Sequence, residues 1–309
     1  MMRTALSTTR RRGFILLSVI LALTFPLGAA APAAANLFGH SPAPKPGSPV
    51  TDAQIVQIQR AIDEERFMDA GRLLDAFALA GLKDTRLDVL AGDLALVRGR
   101  FDDALTEFKT AEASDATRAA AYEGQGIALS QLGRTKEAMA ALERAVTANP
   151  AAWRAWNALG GEYDSKRSWT EAEAAYDHAL SDSDGAPVVL NNRGFSRMLQ
   201  NRLDDAIADF VAALGKKPDL AAARNNLRLA LAMKGEYGRA TAAGAADDKA
   251  TLLNNAGFAA ILRGDYPQAE DLLTQAMKAK GEFYARASEN LDLARSLAAR
   301  TAGGLGASH

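Results

Sequence analysis

The 309-residue sequence has no cysteine, only three histidines, and an aromatic content of 6%. Without cysteine the chain cannot form disulfide bonds, so packing alone must hold it together, and it cannot carry a lipid on an N-terminal cysteine. His40, His178 and His309 have no nucleophile or metal ligand at a useful spacing. A phosphate-binding loop is also missing. The sequence therefore predicts no enzyme activity, no metal site and no cofactor.

The most informative feature present is a 34-residue period. An alanine recurs at that spacing, at Ala70, Ala104, Ala138, Ala172, Ala206 and Ala240. Such a period is typical of stacked helix–turn–helix repeats. The first helix of the clearest unit combines a large residue, a small one and an aromatic, Trp156, Gly160 and Tyr163. Small residues let helix backbones approach closely, and large residues pack into the neighbouring helix.

This pattern resembles the tetratricopeptide repeat (TPR). The resemblance implies an all-α fold, a right-handed superhelical solenoid of about seven TPR helix–turn–helix units plus a C-terminal capping helix. The predicted solenoid covers residues 51–300, with a cap at 284–300 and units that start near residues 51, 85, 119, 153, 187, 221 and 250. The unit at 221 is short by five residues, and its second helix contains only small residues near its end.

The N-terminal 35 residues have the pattern of an export signal. Arg10, Arg11 and Arg12 precede an apolar run, and small residues follow up to Ala35. The run is shorter than the ~20 residues of a membrane span, so we predict cleavage after Ala35 and no stable membrane span afterwards. An uncleaved inner-membrane anchor is the alternative. Both a twin-arginine and an ordinary secretory signal fit the arginines.

The expected mature protein is exported and periplasmic, or associated with the outer membrane. Residues 36–50 are predicted to be a Pro-rich spacer, and residues 301–309 a flexible tail. Of the 36 basic residues four lie in the signal, so 32 remain against 37 acidic ones, a net charge of −5. That balance argues against nucleic acid and against anionic membrane surfaces as partners.

The predicted binding site is a peptide groove over residues 157–262. In TPR proteins the first helix of each unit lines the concave side, and helical geometry points its second, fifth, ninth and twelfth residues toward the groove. An amide can pair with any peptide backbone, and apolar neighbours suit an extended or helical peptide. The predicted groove residues are Asn157, Asn191, Phe195, Asn225, Leu229, Asn254 and Phe258. Alternatively, the asparagines are structural and the apolar residues pack between helices.

Asn-Asn pairs open three of the units, at Asn191-Asn192, Asn225-Asn226 and Asn254-Asn255. Together with the export signal and the spacer, they resemble TadD, the TPR family of the tight-adherence (Tad/Flp) pilus assembly system. The resemblance implies a scaffold or chaperone that binds a peptide segment of a pilus or secretin component. Members of that family usually carry lipid, which this chain cannot. The alternative is an accessory module of a peptidoglycan enzyme complex, and a homo-oligomer is compatible with either function.

Overall fold

The computed structural model describes residues 44–242, 248–281 and 284–305. The predicted export signal, and the predicted spacer as far as residue 43, lie outside this part of the chain. All regular structure in the described residues is helical, in fifteen helices.

Fourteen of the helices form seven consecutive pairs. The first helix of each pair, helix A, is α1 (Asp52–Asp63), α3 (Thr85–Val97), α5 (Asp115–Gln131), α7 (Trp153–Ser165), α9 (Pro187–Leu199), α11 (Ala221–Lys234) and α13 (Lys249–Arg263). The second, helix B, is α2 (Phe67–Leu79), α4 (Phe101–Ala111), α6 (Thr135–Ala148), α8 (Trp169–Asp182), α10 (Leu203–Lys216), α12 (Tyr237–Ala240) and α14 (Tyr266–Lys280). Helix α15 (Ala285–Leu305) follows as a cap. The predicted fold class, an all-α array of about seven helix–turn–helix units with a C-terminal capping helix, is confirmed.

The periodic alanines lie where helix B packs most tightly. Ala70, Ala104, Ala138, Ala172 and Ala206 are all completely buried. Helix A contributes glycines to the same contacts: a Cβ on Gly160 would lie 2.6 Å from Cε1 of Tyr176. The two backbones therefore approach more closely than any side chain at these positions would allow.

The turn from helix A to helix B uses one backbone conformation throughout the array. Gly99, Gly133 and Gly235 have φ of +70°, +71° and +91° there, as expected for a glycine that ends a helix. At the same repeat position Arg167 and Asn201 have φ of +58° and +60°. The repeat geometry thus imposes a left-handed residue even where the sequence has no glycine.

The array is curved, with the A helices on its inner side. The backbones of consecutive A helices come into contact from α1 to α13, and α13 contacts the cap α15 in the same way, whereas in the described structure the backbones of consecutive B helices do not come as close. Each B helix packs only against its own A helix and the next one. Since one row is closely spaced and the other is splayed, the array bends toward the A row. The A helices therefore form the concave face.

The sixth unit and the C-terminus depart from the regular repeat. Helix α12 has only four residues, because the sequence there lacks large apolar residues to pack. Helix α15 continues to Leu305, so the tail predicted from residue 301 is helical at its start. The Thr301 hydroxyl donates to the Leu297 carbonyl over 2.9 Å and supports this last part. None of the described helices is both long and apolar enough to span a membrane.

Candidate binding site on the concave face

The predicted asparagine column forms a hydrogen-bonded ladder between repeats. The side chains of Asn157, Asn191 and Asn254 are buried, with exposures of 7%, 8% and 2%. Each accepts a hydrogen bond from an asparagine of the next A helix. The donors are Asn192 to Asn157 over 3.1 Å, Asn226 to Asn191 over 3.0 Å, and Asn290 to Asn254 over 3.0 Å.

This ladder corrects the expectation that all four fifth-position asparagines are open to the groove. Adjacent A helices are in contact, so a residue that points sideways from one helix meets the next helix rather than solvent. A buried amide needs a partner, and the neighbouring asparagine supplies it. Asn157, Asn191 and Asn254 therefore hold repeats together. Peptide binding by their remaining hydrogen-bonding capacity stays a prediction.

The ladder is interrupted at the short sixth unit. Asn225 and Asn255 occupy the positions that would pair next, yet both are exposed, and the described structure shows no hydrogen bond between them. A cavity of about 260 Å³, which we call the C-terminal cavity, opens at this place. Its lining includes the predicted residues Asn225, Leu229 and Phe258. The structure thus brings together three of the seven predicted site residues.

The other predicted residues are dispersed. Phe195 is half-buried and packs against the cluster of Met198 and Phe210, so it serves the core of its own unit. Asn157 borders a smaller cavity of about 160 Å³ beside Tyr176.

A larger cavity, of about 360 Å³, lies on the same face in the first half of the array. We call it the N-terminal cavity. Its lining combines apolar side chains with four acidic residues and one basic residue. The apolar residues are Ile62, Phe67, Leu96, Val97 and Ile127, and the charged ones are Asp63, Glu65, Asp93, Glu123 and Arg154.

Two of these carboxylates are strongly desolvated. Burial raises the pKa of Asp93 to about 6 and that of Glu123 to about 7, although the positive charge of Arg154 acts in the opposite direction on both. The Asp63 charge raises the pKa of Asp93 further, and Asp93 does the same to Glu123. Only the Ala155 backbone amide donates to Glu123, and no hydrogen bond or ion pair among the described residues reaches the Asp93 carboxylate.

The rule that predicted the groove also finds this cavity when it is extended to the units that start at residues 85 and 119. Arg154, Glu123 and Asp93 occupy the second, fifth and ninth positions of their units. Asp63, Asp93, Glu123 and Arg154 are spaced by 30, 30 and 31 residues. That spacing is one repeat less about one helical turn, so the four form a diagonal line across α1, α3, α5 and α7. The sequence signal was present, but the predicted groove began only at residue 157.

No metal centre is evident in the part of the chain that the structure describes, since no group of three or more histidine or carboxylate side chains could hold an ion there. The exposed His178 stacks on Trp156 with ring centroids 4.6 Å apart. The described site is therefore a shaped, charged surface made of helices, which defines a helical-repeat scaffold.

Comparison with known proteins identifies the kind of repeat. The tetratricopeptide repeat family model matches residues 89–149 and 123–187. Residues 89–187 are thus similar to tetratricopeptide repeats, a type of repeat that generally serves as a non-enzymatic scaffold for protein interactions. No curated protein matches the sequence.

Solved structures extend the fold likeness beyond the matched repeats. A thermophilic TPR protein of Thermus thermophilus is 21% identical, with a TM-score of 0.52, and the match covers 58% of this chain and 97% of that one. The Cut9–Hcn1 hetero-tetramer of the APC/C is 16% identical over 79% of this chain and 49% of that one, with a TM-score of 0.60. At these identities the likeness concerns the fold alone.

Proposed function

We propose that this chain is a non-enzymatic scaffold that binds a segment of a partner protein along its concave face. The observation that carries the proposal is the position of the N-terminal and C-terminal cavities. Both are lined mainly by A-helix residues on the inner side of the curve. A groove of this kind offers apolar walls for side chains and exposed amides for a peptide backbone.

The C-terminal cavity is suited to a peptide because its amides are not used by the ladder. Asn225 and Asn255 are both exposed. The Asn255 oxygen accepts a hydrogen bond from Asn254 over 3.3 Å and keeps a second lone pair, and the Asn255 amide donors remain available. Leu229 and Phe258 are half-buried beside them and provide apolar contact area. An extended segment that lies across α11 and α13 would meet both kinds of group.

The proposal extends to the cell envelope. The predicted export signal supports a periplasmic location, and the signal, the spacer and the TadD resemblance support a role in assembly of a Flp/Tad-type pilus or secretion machine. The Asn-Asn openings no longer add to that support, because in the described structure they serve packing between repeats. The accessory role in a peptidoglycan enzyme complex is the competing outcome of the test.

The experiment is capture of the partner by the tagged full-length chain in its native cells, followed by mass spectrometry. Phe258→Ala and Leu229→Asp should abolish capture, whereas Val211→Asp, on the outer helix α10 where Val211 is 51% exposed, should not. Pilus or secretin subunits in the eluate would support the role in pilus assembly, and peptidoglycan enzymes would contradict that role in favour of the accessory one. Capture that is lost only with Val211→Asp would refute binding on the concave face.

A further inference from the structure

We infer that the N-terminal cavity binds a lysine or arginine side chain of the partner polypeptide. The inference rests on the proposed function, because it names the chemistry that one part of the concave face selects. It also differs from the groove predicted from the sequence, which lies in the other half of the array.

The first argument is an excess of negative charge without a matching cation. Asp63, Asp93 and Glu123 line the cavity together with a single basic residue, Arg154. Arg154 is exposed, and its guanidinium lies 5.6 Å from the ring centroid of Trp153. It forms no ion pair with Asp93 or Glu123 in the described structure, so the cavity keeps room for another cation.

The second argument is the position of Asp93. Asp93 is half-buried and lines the cavity, and desolvation raises the pKa of its carboxyl group. No described residue donates a hydrogen bond to it. Burial of a charge without a partner is unfavourable, and such groups are typical of binding sites. A guanidinium or ammonium group would supply both the charge and the missing donors.

The third argument is the apolar wall. Ile62, Leu96, Val97 and Ile127 line the same cavity, together with Phe67. The side chains of lysine and arginine have an aliphatic stem that packs on apolar surface and a charged end that seeks polar partners. A cavity of about 360 Å³ falls within the usual range for a site that takes one such group. The amphipathic lining therefore matches a long cationic side chain better than a small inorganic ion.

The test is selection of peptides from a fully random display library on three purified full-length proteins: the wild type, D93N/E123Q, and the control D102N/E137Q. The control removes two exposed acids at the starts of the outer helices α4 and α6. Circular dichroism establishes that each variant is folded. We expect lysine and arginine to be enriched in peptides that the wild type and the control select, and not in those that D93N/E123Q selects.

A selected peptide then gives a quantitative readout by calorimetry. Replacement of its conserved basic residue by norleucine, which keeps the aliphatic stem, should weaken binding to the wild type about tenfold or more. The same replacement should have little effect on binding to D93N/E123Q. Since each pH unit below the pKa of a required carboxylate costs a factor of ten, binding should also be at least tenfold weaker at pH 5 than at pH 8.

The outcomes separate the two proposals. Peptides that bind the wild type with no basic preference, or with an acidic one, would overturn the cation site and leave the scaffold function in place. Peptides whose binding depends on Phe258 but not on Glu123 would also overturn the cation site and leave the scaffold function in place. A wild type that selects no peptide from the library would contradict both proposals.

Discussion

Replacement of Glu123 by glutamine should stabilise the protein, and only at neutral or alkaline pH. Desolvation raises the pKa of Glu123 from its ordinary value of 4.5 to about 7, so the ionised form is costly in the folded state. One pKa unit corresponds to about 1.36 kcal/mol, which makes the cost about 3 kcal/mol at pH 8. Water in the adjoining cavity reduces this figure, and we expect a gain of about 1–3 kcal/mol.

The pH dependence follows from the direction of the shift. Between pH 4.5 and 7 the folded state binds more protons at Glu123 than the unfolded state does, so this group lowers the stability as the pH rises through that interval. Below pH 4.5 the carboxyl is neutral in both states, and the wild type and Glu123→Gln should be equally stable. The amide keeps an oxygen that can accept the hydrogen bond from Ala155.

Urea denaturation followed by tryptophan fluorescence measures this difference. All three tryptophans, Trp153, Trp156 and Trp169, lie in α7 and α8, and α7 contributes Arg154 to the cavity. The signal therefore reports the relevant part of a repeat array that unfolds by neighbouring units. The control is Glu137→Gln on the outer surface. Two results would refute the claim that the Glu123 carboxylate is desolvated in the folded state. One is a Glu123→Gln protein that is less stable than the wild type at pH 8. The other is a difference in the free energy of unfolding between the two proteins that is the same at pH 4 and pH 8.

Three further predictions concern the packing of the repeats, each measured as the free energy of unfolding in urea. Gly160→Ala should destabilise by about 1–3 kcal/mol, because its Cβ would overlap an aromatic ring, whereas Gly215→Ala in open space should stabilise by about 0.5–1 kcal/mol; equal effects would contradict the close helix contact. Asn191→Ala should cost about 1–3 kcal/mol by leaving a ladder donor without its acceptor, and Asn225→Ala should cost almost nothing; the reverse order would exclude the ladder. Arg167→Gly should stabilise the protein by about 0.5–1 kcal/mol, since glycine relieves the strain of the left-handed backbone conformation at this position. A loss of stability would show that the backbone there carries no strain.

The sequence predicted the helix pairs because their packing is periodic. A small residue every 34 positions lets two helix backbones approach closely in such an array, and Ala138 and Gly160 lie at such close contacts as expected. The direction of the asparagine column was not predictable from one helix. Whether Asn191 faces solvent or a neighbour depends on the distance between adjacent A helices, which is a property of the stacked array.

The N-terminal cavity shows a different limit. Its charges come from four separate units, and each of them alone looks like an ordinary surface residue of an amphipathic helix. Only the diagonal relation between Asp63, Asp93, Glu123 and Arg154 distinguishes them. The burial that raises the pKa of Asp93 and Glu123 arises where neighbouring A helices pack against one another, which no single repeat shows.

Site-specific photo-crosslinking in native cells tests the central claim, that a partner polypeptide lies on the concave face. A photoreactive amino acid is placed at Ile127 in the N-terminal cavity, at Leu229 in the C-terminal cavity, or at the outer position Val211, and the adducts are identified by mass spectrometry. The account predicts the same partner from Ile127 and Leu229, attached through different peptides, and none from Val211. Adducts of the partner at Val211 alone would contradict it.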